Sequence, residues 1–93
     1  MTDLLLGQVL SFSGDPMIEG PAAARVLTQG AVAVENGRIA ALGEAATLRA
    51  RYPQARIHDH GAKLISAGFI DAHVHYPQTA IIASWGKRLI DWL

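Results

Sequence analysis

Short apolar blocks separated by turn-forming residues run through the first two thirds of the chain. Leu4 to Phe12 reads as a strand, ended by Ser13-Gly14-Asp15-Pro16. Residues 14–22 hold two prolines and two glycines and predict a surface loop. Arg25-Val26-Leu27 is read as a short strand. Ala31-Val32-Ala33-Val34-Glu35 then leads into Asn36-Gly37, and Arg38-Ile39-Ala40-Ala41-Leu42 leads out. Asn-Gly accepts the positive φ angles of a type I′ turn, so a hairpin is expected, with Gly43 ending its second strand. Glu44 to Tyr52 predicts a short helix stopped by Pro53. Arg56 to His60 reads as one more strand, followed by a turn at Gly61-Ala62-Lys63.

The stretch Ala67-Gly68-Phe69-Ile70-Asp71-Ala72-His73-Val74-His75-Tyr76-Pro77-Gln78 organises the rest. As a strand it would set Phe69, Asp71, His73 and His75 on one side, and Ile70, Ala72 and Val74 on the other. Two imidazoles so spaced can bind one metal ion, and a carboxylate on the same face can receive a ring N–H and fix its tautomer. Pro77 would close the strand, having no N–H for a ladder. Beyond it Ile82, Trp85, Leu89, Trp92 and Leu93 fall on one face of a helix, which Gly86 weakens midway.

Composition narrows the classes. Hydrophobic residues make up 51% and charged residues 17%, as in a chain that forms a core. Eight basic residues balance eight acidic ones without clustering, so neither a nucleic-acid surface nor an anionic-membrane surface is expected. There is no cysteine, which excludes disulfides and thiolate metal sites and leaves His and carboxylate as ligands. No apolar run exceeds four residues, so no membrane span is expected. Met1 to Gly7 has neither the basic leader nor the long apolar core of a signal peptide, and a cytoplasmic location is expected. A (β/α) barrel takes roughly 250 residues, more than the 93 present.

Gly68-Phe69-Ile70-Asp71-Ala72-His73-Val74-His75 resembles the opening barrel strand of the metal-dependent amidohydrolase superfamily. The continuation through Tyr76-Pro77-Gln78-Thr79, Ile82 to Gly86 and Leu89 to Leu93 is similar to one branch of it, the zinc guanine deaminases. The chain departs from the family at Ala67, where Pro is usual; no ligand position is touched. The resemblance implies a mixed α/β fold: a partial N-terminal β-sandwich over residues 1–62, then the first strand and helix of a (β/α)8 TIM barrel over residues 63–93, truncated. It implies one zinc ion per site on His73 and His75, with Asp71 beside them, and a guanine pocket lined by His75, Tyr76, Pro77 and Gln78. It also implies guanine as substrate, a homodimer at full length, and proton-transferring residues on later strands, so the 93 residues alone are expected to be inactive. Half a sandwich with open strand edges is further expected to self-associate.

The residues also admit plainer readings. His73 and His75 can be hydrogen-bonded, partly buried histidines, Asp71 an inward polar residue, and Gln78 an ordinary loop glutamine. Trp85 fits a helical core stripe, and His58 and His60 read as solvent-facing strand residues. Another amidohydrolase acting on a ring C–N bond would share His73 and His75, and a non-catalytic fragment is the reading from a different class.

Overall fold

The computed structural model describes residues 1–74, which form one mixed α/β unit: a four-stranded sheet with a helix on one face. The first strand, β1 (Thr2–Phe12), is central, and the spatial order is β3-β2-β1-β4. β2 (Ala24–Glu35) runs antiparallel to β1, and β3 (Arg38–Glu44) runs antiparallel to β2. β4 (Arg56–Ile65) lies parallel to β1 on its other edge. A parallel neighbour needs a crossover. That crossover contains the helix α2 (Ala45–Arg51).

The local reasons are those of the sequence. Asn36 and Gly37 both take positive φ, 51° and 73°, and Glu35 pairs with Arg38, so the β2–β3 hairpin closes as expected. α2 starts after the extended Glu44 and ends at Tyr52, whose N–H bonds the Leu48 carbonyl at 2.9 Å before Pro53. β2 is longer than expected, because the Arg25-Val26-Leu27 segment and the hairpin strand are one continuous element. The expected loop after β1 contains a one-turn helix, α1 (Pro16–Glu19), capped by Asp15 accepting the Met17 N–H at 2.8 Å, and a 3-10 turn at Pro21–Ala23.

The core lies between the sheet and α2. Leu4 and Leu6 of β1, Ala31 and Ala33 of β2, and Leu48 of α2 pack as one buried cluster. Period-two alternation sends Leu5 and its partner Val32 to the opposite face. There Leu5, Val9, Val32, Val34, Ile39 and Ile65 help to line an apolar groove of about 400 Å³.

Two expectations are corrected. The turn at Gly61-Ala62-Lys63 does not end the strand: β4 continues to Ile65 through a bulge. Along this stretch β1 advances from Leu6 to Gln8 while β4 advances from Asp59 to Leu64. Gly61 at φ 61° and the Gly61 N–H donating to Asp59 Oδ1 at 2.8 Å let the chain swell without leaving the sheet. The strand expected from Ala67 is absent from residues 66–74, which carry no regular structure. Alternation marks two faces, but a strand forms only where another strand accepts its hydrogen bonds. The helix read beyond Gln78 lies outside the described residues.

β4 is fastened at its start by charge. Asp3 Oδ1 accepts from Arg56 Nε at 2.7 Å and contacts His58 Nε2 at 2.8 Å. His58 is therefore a cross-strand partner of β1, where the sequence suggested a solvent-facing residue. The hydrogen bond from Arg56, then that from His58, lowers the Asp3 carboxyl from 3.8 to about 2. A lowered carboxylate contributes stability that is present above its unfolded value and lost as pH falls through the folded one.

Two outcomes are expected. The stability difference between wild type and Asp3→Asn, followed by denaturant melts, should be constant above pH 3.8 and shrink as pH approaches 2. Leu4→Ala should cost about 2–5 kcal/mol, whereas Met17→Ala, at an exposed site, should stay within about 0.5 kcal/mol.

Candidate functional site

The segment that carries the expected chemistry leaves the sheet at the end of β4. Ser66 Oγ donates to the Ala67 carbonyl at 3.2 Å, and residues 66–74 then run exposed apart from regular pairing. Phe69 and Ile70 are almost entirely exposed, and Val74 is more than half exposed. An apolar Phe-Ile pair in water is unfavourable by roughly 1.5–3 kcal/mol per side chain relative to burial, so this segment is written for an environment that encloses it.

Asp71 and His73 are brought together, through the main chain. The Asp71 carboxylate accepts the backbone N–H of His73 at 3.0 Å, closing a tight local turn. The alternation that would align Asp71 with His73 on one strand face is not developed here, since residues 66–74 form no strand. His75, Tyr76, Pro77 and Gln78 lie outside the described residues. Among the described residues no three His, Cys, Asp or Glu side chains converge as a metal site would require.

Donor chemistry is still informative. Imidazole nitrogens suit zinc or iron, and a chain without cysteine leaves nitrogen and oxygen ligands. His73 is exposed. Three protein ligands are usual at catalytic zinc. The expected pair, His73 and His75, would account for two of these.

The Asp3 carboxylate, held low by Arg56 and His58, sits at the opposite end of β4 from this segment. It fastens the sheet and is no part of the expected site. The sequence signal missed there was positional: Arg56 pairs with Asp3 on the parallel neighbour, and His58, two residues on, pairs with Leu5. The apolar groove reaches Ser66 and Ala67, the first residues of the segment.

Comparison with known proteins agrees with this architecture. Residues 30–55, from the end of β2 through α2, match the family described as the imidazolonepropionase-like composite domain of bacteria. The chain is 41% identical over 78 residues to a probable guanine deaminase of Deinococcus radiodurans, covering 78% of the chain and 18% of that protein. It is 33% identical over 72 residues to the guanine deaminase of Escherichia coli K12, covering 76% of the chain and 16% of that protein. The chain thus spans less than a fifth of the length of these relatives. The crystal structure of guanine deaminase from Bradyrhizobium japonicum superposes with a TM-score of 0.79 at 33% identity, covering 99% of the chain and 20% of that structure. In sequence and in fold, the chain corresponds to the N-terminal portion of guanine deaminases of the amidohydrolase superfamily.

Proposed function

We propose that this chain is the N-terminal portion of a zinc guanine deaminase, an enzyme that hydrolyses guanine to xanthine and ammonia in purine catabolism. The observation that carries the reading is the match of nearly the whole chain to a guanine deaminase structure, at 33% identity and a TM-score of 0.79. In this reading residues 1–62 are the N-terminal part of a composite β-sandwich. Residues 63–93 begin a (β/α)8 TIM barrel, whose later strands supply the remaining ligands and the proton-transferring groups. The enzyme is cytoplasmic and a homodimer. No helix among the described residues is long and apolar enough to cross a membrane.

Each residue then has a task. His73 and His75 hold the ion by their ring nitrogens, and Asp71 stabilises the turn that presents them. When bound, zinc supplies an activated water for attack on the ring carbon bearing the amino group. Gln78 presents an amide that donates and accepts side by side, which complements the edge of a purine. In this reading Tyr76 and Pro77 belong, with His75 and Gln78, to the substrate-binding segment. The expelled ammonia and the ring nitrogen need protons. That is general acid–base work for groups further along the protein.

In the full-length protein, His73→Ala or His75→Ala should lower zinc affinity and guanine turnover by more than about 100-fold, beyond the range typical of outer-shell changes. Gln78→Ala should mainly raise KM for guanine, by about tenfold, the equivalent of one lost hydrogen bond. Zinc content and ammonia release measure both. Unchanged guanine kinetics in Gln78→Ala would defeat the substrate assignment. The 93-residue chain alone should release no ammonia from guanine above a free-zinc control.

A further inference from the structure

β1 is interrupted on both edges at one point. Its register with β2 shifts between Gly7 and Val9, and its register with β4 shifts between Leu6 and Gln8. Gly7 is buried, and a Cβ added there would lie 2.9 Å from both the Lys63 carbonyl oxygen and Ile65 Cδ1. The side-chain atom can move aside, but the carbonyl belongs to the backbone of β4 and cannot yield without shifting the strand. Gln8, the next residue, donates from Nε2 to the Ala62 carbonyl at 3.1 Å. The β4 bulge is thus seated in a notch of β1, touched by Gly7 from beneath and tied by Gln8 from the side. Leu64 and Ile65, the last residues of β4 to pair with β1, follow at once, and the segment bearing Asp71 and His73 departs from them.

We propose that Gly7 and Gln8 are positioning residues for the metal-binding segment: by seating the Asp59–Lys63 bulge they set where β4 ends and hence where His73 and His75 are delivered. The inference rests on the deaminase reading of those histidines. Positioning matters because a displacement of about 1 Å at a reacting centre can cost on the order of 100-fold in rate. A side chain at Gly7 would meet the Lys63 carbonyl and Ile65, the last stretch of β4 before the segment departs. Gly43 provides the control. It is also in a strand, but a Cβ there meets nothing within 4 Å.

The test compares Gly7→Ala, Gln8→Ala, Gly43→Ala and His73→Ala in the full-length protein. Zinc affinity is read by competition with a chromogenic chelator, kcat and KM with guanine, and the melting midpoint by circular dichroism. Expected for Gly7→Ala is at least a tenfold rise in the free zinc needed for half occupancy and a fall in kcat of on the order of 100-fold. Gln8→Ala should move the same way by a smaller factor, with a melting midpoint like that of Gly43→Ala. Should Gly7→Ala not fold, Gln8→Ala decides. If His73→Ala loses zinc while both notch variants match Gly43→Ala in zinc affinity and kcat, the positioning role is overturned and the site reading stands. A notch variant that only melts earlier, with zinc affinity and kcat unchanged, overturns it equally. Retained zinc and turnover in His73→Ala would overturn the site reading itself.

Discussion

Hydrogen bonding on both edges of β1 is the constraint from which the described structure follows. A strand paired antiparallel on one side and parallel on the other cannot be built from hairpins alone. β2 returns beside β1 through the segment bearing α1 and β3 follows by a hairpin turn, but β4 has to cross the sheet to reach the free edge. α2 occurs on that path, and its Leu48 closes the face formed by Leu4, Leu6, Ala31 and Ala33. The crossover and the core are therefore one solution to one problem.

The two ends of β4 are secured by different physics. At the start, a single carboxylate oxygen of Asp3 gathers Arg56 and His58, a charged contact on a partly exposed edge. Exposed ion pairs contribute little energy, and their value here lies in fixing register, since a parallel strand slipped by one residue would present its other face. At the far end the contact is steric: a glycine is needed because a strand's backbone passes too close for a side chain. The segment expected to bind metal leaves from this second, more exacting end.

Only one face of the sheet is covered by the described elements. Ile39, Leu42 and Leu64 remain substantially exposed, and the opposite face holds the groove that meets Ser66 and Ala67. Small units bury a limited fraction of their apolar surface. Here the buried residues are concentrated under α2, with Val9 and Val32 as the inner floor of the groove.

Much of the fold was legible from local chemistry. The type I′ hairpin at Asn36-Gly37 and the helix stopped before Pro53 follow from rules acting within a few residues, and so does the strand character of β1. Residue type and spacing suggest His73 and His75 as candidate ligands, and the Gly-Phe-Ile-Asp frame adds to this through its resemblance to a family. What tertiary structure decided was everything that needs a neighbour distant in sequence. Asp3 finds Arg56 and His58 more than fifty residues away, β4 runs through Gly61 because Gly7 leaves room for it, and residues 67–74 form no strand because they have no strand to pair with. Alternation prescribes which faces a segment can have; only a partner's hydrogen bonds and packing determine whether it takes them.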